Sequence, residues 1–208
     1  MSKIKWKGGT LLAPVPPVMV SCGTMEKPNI ITVAWTGLIN TIPPKTYISV
    51  RPSRHSYELI KESGEFAINL TPTSLVKQAD WCGIHTGRKV DKFARCNLTP
   101  DEANEISAPL ILECPISLEC KVFDVIPMGT HDMFLADIVA VDVAPGLLDK
   151  SGRLCIERAH LAAFAHGEYF ELGKKIGQFG FSAVKKKKGS KPQTKGGNHP
   201  KKPSGKRK

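Results

Sequence analysis

Residues 46–70 read T-Y-I-S-V-R-P-S-R-H-S-Y-E-L-I-K-E-S-G-E-F-A-I-N-L. Polar and apolar side chains alternate over residues 46–51, which predicts a half-buried strand. Ser53 is a favourable N-cap for a helix, and Ser63-Gly64 is a typical helix end. Residues 65–70 then predict another strand. A strand, a short helix and a second strand with short connections therefore form the unit from which the fold is predicted.

Further β-like runs flank this unit. Strands are predicted at residues 18–24, 30–36, 116–125 and 134–143, the last two joined as a hairpin. A second helix is predicted at residues 71–83, and residues 158–167 are predicted to form a helix or a lid. Alternation of strands with helices is absent, as are glycine-rich phosphate-binding motifs, which disfavours a Rossmann domain. The sequence favours a mainly β fold, an antiparallel Greek-key barrel with a few short helices.

The positive charge is confined to one end of the chain. Of 30 Lys and Arg residues, ten Lys and one Arg lie in residues 185–208, which contain no acid. Residues 1–184 therefore carry 19 cations against 19 Asp and Glu, a balance of zero. We expect one folded domain at 1–184 and a disordered Lys-rich tail at 185–208, which could solubilise the protein or bind nucleic acid or another anionic partner.

Six cysteines occur without a C-x-x-C pair, so free buried thiols are expected and a metal site is not. No stretch reaches the length of a membrane span, and no signal-peptide cleavage site follows the N-terminal lysines. We therefore expect a cytoplasmic protein that does not enter a membrane.

The segment 51–56 has the composition of a phosphate-binding site. It offers two guanidinium groups, two hydroxyls and backbone N–H groups where a helix begins, all of which suit a dianion. A solvated turn is the competing interpretation. Residues 82–93 form a glycine-containing basic loop that could complete such a site or lie in solvent. Residues 29–36 could bind a flat heterocycle along a strand edge or form a core strand.

Taken in order, these segments resemble a known family. The runs P-N-I-I-T-V-A-W-T, R-P-S-R-H-S-Y-E-L-I-K and C-G-I-H-T-G-R-K-V-D-K-F are similar to motifs of the flavin reductase-like, flavoredoxin-type FMN-binding family. The resemblance covers about residues 10–180. It implies a split β-barrel that binds FMN non-covalently, usually as a homodimer with the flavin near the subunit interface.

The resemblance also implies roles for individual residues. It assigns the strand from Thr32 to Thr36 to the isoalloxazine ring. It assigns Arg51, Ser53, Arg54 and Ser56 to the phosphate and ribityl chain, with Thr86 and Lys92 as further contacts. It places His131, near a hairpin start, on the substrate side, although a polar turn residue is the alternative. The implied cofactor-binding residues are Asn29, Thr32, Val33, Ala34, Trp35, Thr36, Arg51, Ser53, Arg54, Ser56, Thr86 and Lys92.

The expected function is that of an FMN-binding oxidoreductase. Because the flavin carries the hydride or electrons, no protein nucleophile is needed. The donor would be NAD(P)H or a redox protein, and the acceptor a flavin, a ferric complex or a protein. The alternatives are an FMN electron carrier without enzymatic activity, and a protein that binds nucleic acid or an acidic partner through the tail.

Overall fold

The computed structural model describes residues 1–183, and its centre is a seven-stranded antiparallel sheet. The strands in chain order are β1 (Val18–Gly23), β2 (Pro28–Val33), β3 (Thr36–Thr41), β4 (Pro44–Val50), β5 (Glu65–Leu70), β6 (Pro100–Asp101), β7 (Leu110–Ile111), β8 (Ile116–Pro127), β9 (Asp132–Val143), β10 (Ala162–Ala165) and β11 (Glu168–Glu171). The α-helices are α1 (His55–Ser63), α2 (Val76–Ile84) and α3 (Lys92–Cys96). Short 3-10 turns occur at Thr73–Leu75, Pro145–Leu147, Ile156–Ala159 and Phe181–Ala183. The mainly β fold with a few short helices is confirmed.

The strand order explains why the barrel is split. The sheet runs β2-β1-β5-β8-β9-β4-β3, so consecutive strands are not always neighbours, as in a Greek key. Only Ala34 and Trp35 separate β2 from β3, yet these strands lie at opposite edges of the sheet. The sheet must therefore curl until its two edges approach each other. The bend at Ala34 and Trp35 joins them, and the Ser49 N–H donates to Trp35 O at 2.9 Å.

This bend divides the single strand predicted at residues 30–36. β2 ends at Val33 and β3 begins at Thr36, so that part of the prediction is wrong. Polar and apolar side chains alternate in a similar way on both sides of the bend. The sequence pattern therefore does not reveal that the strand is interrupted at Ala34 and Trp35. The consequence for function is that Ala34 and Trp35 lie at the opening of the barrel.

Two apolar cores hold the sheet and helices together. The first fills the barrel and includes the fully buried side chains of Ile48, Phe66 and Phe134. The second lies between the β1–β2 hairpin and helices α2 and α3, where Met19 and Ile30 are fully buried. Burial of side chains of this size contributes about 1.5–3 kcal/mol each. The second core thus fixes α2 and α3 against the edge strand β2.

Helix α1 confirms the predicted end and corrects the predicted start. Gly64 adopts a left-handed conformation with φ of 68°, and its N–H donates to Ile60 O at 2.9 Å. The N-cap position is occupied by Arg54, whose side chain makes no capping bond, so the predicted Ser53 cap is wrong. The preceding residues form a turn in which the Arg54 N–H donates to Arg51 O. This turn leaves the Ser53 side chain in a neighbouring cavity.

The helix or lid predicted at residues 158–167 is a β-hairpin instead. Strands β10 and β11 pair there, and Phe164 exchanges backbone hydrogen bonds of 2.8 and 2.9 Å with Val15. Its alanines and small residues suit a helix by propensity, but pairing with the N-terminal segment determines the strand. Phe164 is thereby brought to the opening of the barrel.

The remaining sequence predictions concern the cysteines, membrane-spanning helices and the division of the chain into domains. All six cysteines are unpaired and buried, as expected. No helix within residues 1–183 is long and apolar enough to cross a membrane. Residues 1–174 form one compact unit, and a second unit begins at Lys175. The predicted tail at 185–208 and its predicted anionic partner lie outside the described residues.

Candidate functional site

A cleft of about 400 Å³ opens where strands β2 and β4 diverge. The bend at Ala34 and Trp35 forms one wall, and Phe164 from the β10–β11 hairpin forms part of the rim. The residues that line the cleft are Ile31, Thr32, Val33, Ala34, Trp35, Ser49, Val50, Arg51, Arg54, His131 and Phe164. Among the strands of residues 1–183, β2 pairs with β1 alone, so one row of its backbone groups has no sheet partner there. The cleft therefore combines apolar side chains with a strand edge that can hydrogen-bond.

A smaller basic cavity of about 160 Å³ adjoins the cleft. It brings together the turn before α1, the loop after α2 and the start of α3. The residues that line the basic cavity are Ile31, Arg51, Ser53, Arg54, His55, Ser56, His85, Thr86, Gly87 and Lys92. Ile31, Arg51 and Arg54 line both spaces, so the cleft and the basic cavity are adjacent.

Lys92 is a buried cation at the base of this cavity. Its side chain is 3% exposed, and its Nζ donates to the carbonyl oxygens of Ile30 and Cys82, each at 2.7 Å. Burial lowers the pKa of Lys92, and the charge of Arg54 acts in the same direction. An ammonium group has three donors, so one donor is left for a ligand in the basic cavity.

No described residue provides Lys92 with a counter-ion. Burial raises the pKa of Cys22 to about 11 and that of Cys82 to about 12, so both neighbouring thiols are neutral at pH 7. Within residues 1–183, Arg51, Arg54 and Lys92 form no ion pair with a carboxylate, whereas the nearby Arg88 pairs with Glu58 at 2.9 Å. Three cations that share one cavity without an acid suit an anionic ligand.

Asn29 lies behind the basic cavity and does not line it. It is buried, and its Nδ2 donates to Ser56 Oγ at 2.7 Å. A Cβ at Gly87 would lie 2.0 Å from Asn29 Oδ1 and 3.1 Å from the His55 ring, so only glycine fits there. Asn29 thus orients Ser56 and supports the loop at Gly87, in contrast to the direct cofactor contact implied by the resemblance.

The two threonines of the predicted ring segment use their hydroxyls for the fold. The Thr32 hydroxyl donates to Ala79 O at 2.5 Å, and the Thr36 hydroxyl donates to Tyr47 O at 2.6 Å. Thr32 still lines the cleft. Thr36 lines a neighbouring apolar cavity on the other side of Trp35. Backbone atoms and the side chains of Ala34 and Trp35 remain as the contact surface of this segment.

His131 stands at the mouth of the cleft, next to Arg51. The Arg51 Nε donates to His131 Nε2 over 3.4 Å, and Thr130 Oγ1 lies 3.0 Å from Nδ1. Burial lowers the pKa of His131, and the positive charges of Arg51 and Arg54 lower it further. The neutral ring accepts from Arg51 through Nε2 and so carries its hydrogen on Nδ1.

Several lining residues were not predicted. His85 and Gly87 lie inside the basic loop recognised at residues 82–93, so their position next to Thr86 could have suggested them. Phe164 could not be found, because its segment was predicted as a helix or lid and no local signal joins it to Val15.

The combined space suits one type of ligand. A flat, largely apolar group fits between the strand edge and the aromatic rim of the cleft, and a dianion fits the basic cavity. No group of three or more His, Cys, Asp and Glu residues that could hold a metal ion occurs in the part of the chain that the structure describes. The geometry therefore indicates an amphipathic, anionic organic ligand.

Comparisons with known proteins point in the same direction. The family model described as "Flavin reductase like domain" matches residues 11–173. Flavoredoxin of Desulfovibrio vulgaris (Miyazaki F) is 29% identical and superposes with a TM-score of 0.83, over 88% of this chain and 100% of that chain. Flavoredoxin from Methanosarcina acetivorans is 26% identical with a TM-score of 0.80, again over 88% and 100%.

An uncharacterized protein of Archaeoglobus fulgidus is 32% identical over 130 residues, which is 62% of this chain and 73% of that protein. The family model covers both the cleft and the basic cavity, and the two flavoredoxins share the split-barrel architecture. The chain belongs to the flavin reductase-like domain family.

Proposed function

We propose that the chain is an FMN-binding oxidoreductase. It would pass a hydride or electrons from NAD(P)H or a redox protein, through bound flavin, to a flavin, ferric or protein acceptor. One observation supports this above all: the largely apolar cleft and the acid-free basic cavity lie side by side and share Ile31, Arg51 and Arg54 in their walls. FMN has the matching shape, a flat ring at one end and a dianionic phosphate at the other.

The basic cavity would hold the phosphate. Arg51 and Arg54 offer guanidinium donors, Lys92 offers its remaining N–H, and Ser53 and Thr86 offer hydroxyls. Charge-assisted hydrogen bonds of this kind contribute about 1.5–3 kcal/mol each. An anion here would also offset the cost of burying Lys92, which supports the fit of a phosphate.

The cleft would hold the isoalloxazine ring against the edge of β2 and the bend at Ala34 and Trp35. Bound flavin supplies the capacity to accept a hydride and to release electrons singly or in pairs. The chain contributes position, since backbone groups of the edge strand can pair with the polar edge of the ring. Phe164 and Trp35 exclude water from part of the ring surface.

His131 is proposed to act on the substrate side. It lies at the mouth of the cleft, and as a neutral ring bonded to Arg51 it can contact a donor or acceptor that approaches the flavin. Arg51 lines both spaces, so this bond links the substrate side of the cleft to the phosphate side.

We also propose that two copies of the chain form a homodimer. Large apolar side chains are exposed on the strands β3 and β9. Leu38 is 76% exposed, and Val139 and Val141 are 40% and 55% exposed. Apolar patches of this kind usually mark interfaces between proteins. A second copy is the proposed partner, because the exposed Leu38 follows closely along β3 from Trp35, which lines the cleft. A cytoplasmic location remains a prediction from the sequence.

Binding of FMN and riboflavin by the purified protein tests the cofactor assignment. We expect a yellow protein, or one that becomes yellow on addition of FMN, with far weaker binding of riboflavin because it lacks the phosphate. Arg51→Ala and Arg54→Ala should each weaken FMN binding and leave riboflavin binding nearly unchanged. A colourless protein that cannot be reconstituted with either flavin would refute the assignment.

Anaerobic mixing with NADH or NADPH separates a reductase from an electron carrier. A reductase bleaches its bound flavin rapidly and turns over when an acceptor is added. A carrier retains its flavin colour with either nucleotide but is reduced by a strong chemical reductant. The second result would replace the enzymatic role by electron transfer and leave the cofactor assignment intact.

A further inference from the structure

His85 ends helix α2 and turns back onto it. Its Nδ1 lies 2.9 Å from the carbonyl oxygen of Trp81, one helical turn earlier. Its ring stacks on the Trp81 indole, with ring centroids 4.0 Å apart and an interplanar angle of 15°. These two contacts fix the orientation of an otherwise exposed imidazole at the edge of the basic cavity.

The contact with Trp81 determines where the imidazole carries its hydrogen. A carbonyl oxygen only accepts hydrogen bonds, so Nδ1 must be the donor. In the neutral ring Nε2 then has a lone pair and no hydrogen. Such a nitrogen cannot donate to a dianion, whereas the protonated ring carries a hydrogen on each nitrogen and can.

The charged side chains that line the basic cavity beside His85 are all cationic. The acids on the neighbouring elements have other partners: Asp80 accepts from Tyr169, Asp91 caps α3 and Glu58 pairs with Arg88. Arg51 and Arg54 face the cavity from the turn before α1, and Lys92 faces it from α3. Arg95 lies across the Trp81 ring, 5.7 Å from its centroid, and His55 is the other imidazole in the cavity wall. The C-terminal end of a helix, where His85 lies, has partial negative charge and favours a cation. A dianion in the basic cavity would compensate the added charge on this ring.

We propose that His85 is a phosphate ligand that acts in its protonated form, so that a flavin phosphate takes up a proton from solvent as it binds. This inference rests on the proposed function, because it requires the phosphate to occupy the basic cavity. It adds a contact outside the recognised arginine motif and makes affinity for phosphorylated flavins depend on pH. Flavins without a phosphate would bind without this dependence.

Calorimetric titration in buffers of different ionisation enthalpy measures the number of protons taken up. The work is done at about pH 8, where a phosphate with a second pKa of about 6 is already a dianion and contributes no proton of its own. We expect uptake of up to about one proton per FMN, and an affinity that falls up to about tenfold per pH unit as pH rises. Riboflavin, which lacks the phosphate, should bind without proton uptake.

Two substitutions of His85 should have opposite effects on the affinity for FMN. His85→Gln should abolish the proton uptake and weaken FMN binding at low pH, while riboflavin affinity stays unchanged and demonstrates an intact fold. His85→Lys should keep tight binding and make it independent of pH up to about pH 9, because the ammonium is permanently charged there. His160→Gln, which lies outside both the cleft and the basic cavity, is the matched control and should retain the uptake.

The outcomes separate this inference from the proposed function. FMN that binds without proton uptake, or with the same uptake in His85→Gln, overturns the role of His85 and leaves the flavin assignment in place. Loss of the uptake in His55→Gln instead of His85→Gln overturns it as well. A protein that binds neither FMN nor riboflavin overturns the proposed function and this inference together.

Discussion

The Nζ of Lys92 donates a hydrogen bond of 2.7 Å to the carbonyl oxygen of Ile30, so a buried cation ties helix α3 to the edge strand β2. Ile30 belongs to the second core, and Ile31, the next residue, lines both the cleft and the basic cavity. The Lys92 side chain therefore has two roles: it holds the edge strand β2 in position, and it contributes positive charge to the basic cavity.

Replacing this cation should separate phosphate binding from ring binding. We expect Lys92→Met to weaken FMN binding by about 10- to 100-fold, the loss of one charge-assisted contact of about 1.5–3 kcal/mol. Riboflavin affinity should change much less. Fluorescence titration with both flavins measures the difference, and Lys89→Met, an exposed cation of the same loop, is the control. An equal loss of affinity for both flavins would indicate that Lys92 supports the fold and does not contact the phosphate.

Gly87 should tolerate no side chain. In Gly87→Ala the new Cβ would meet Asn29 Oδ1 at 2.0 Å, which must displace either Asn29 from Ser56 or the loop from the basic cavity. We expect a loss of about 1–3 kcal/mol in stability and weaker FMN binding. Thermal unfolding and FMN titration measure these effects. Gly146→Ala, where the added Cβ has no neighbour within 4 Å, should be nearly neutral, and an equally harmless Gly87→Ala would contradict this packing.

His131→Gln tests the substrate side of the cleft. The variant keeps a hydrogen-bonding side chain but loses the imidazole bonded to Arg51. We expect turnover with NADH or NADPH to fall by about tenfold or more, in the range attributed to single catalytic contacts, while FMN affinity changes little. Steady-state kinetics with a parallel FMN titration measures both. A loss confined to FMN affinity would indicate that His131 acts only through Arg51.

The exposed face of β3 provides a test of the homodimer. Leu38→Glu places a charge on a side chain that is 76% exposed, so the single chain should fold normally. At an interface between two copies the same charge would be buried without a partner, and we expect dissociation to monomers. Light scattering after size-exclusion chromatography measures the mass. Leu112→Glu, at a 59% exposed leucine between β7 and β8, is the control that should leave the mass unchanged.

Outside the candidate site, the carboxyl groups of Glu119 and Asp142 should make the stability of the fold depend on pH. Burial favours the neutral form of Glu119, but the N–H groups of Asn104 and Glu105 outweigh it and lower its pKa. Burial and the neighbouring Glu119 raise the pKa of Asp142, whose Oδ2 has no hydrogen-bond partner among the described residues.

The two carboxyl groups act on stability with opposite signs. The contribution of Glu119 is lost as pH falls through its lowered pKa, and that of Asp142 is lost as pH rises through its raised pKa. Asp142→Asn should therefore raise the unfolding temperature at pH 8 and have little effect at low pH, where Asp142 is protonated in both states. Thermal unfolding across this range measures the change, and a stabilisation that grows toward low pH would contradict the assignment.

Much of the site could be predicted because its residues lie in contiguous segments. The turn at Arg51–Pro52–Ser53–Arg54 and the loop containing Thr86 meet around one cavity, as their composition suggested. Asn29 illustrates the limit of such reasoning, since it belongs to the recognised segment but faces Ser56 from behind. Only the fold decides whether a side chain points into a cavity or supports its wall.

The fold was predictable where hydrophobic alternation was strong and turns were marked by Gly and Pro. The strands β8 and β9 and the helix end at Gly64 follow the pattern closely. The bend at Ala34 and Trp35 and the pairing of Val15 with Phe164 depend on contacts between distant residues, which local propensity does not encode.

The edge strand β2 and the strand β4 both line the cleft, and β2 continues through Ala34 and Trp35 into β3, the strand that pairs with β4. A ligand in the cleft would contact both β2 and β4 and so would close the barrel between them. Opening the barrel would then require release of the ligand, and resistance to thermal unfolding should rise with ligand concentration as RT ln(1 + [L]/Kd).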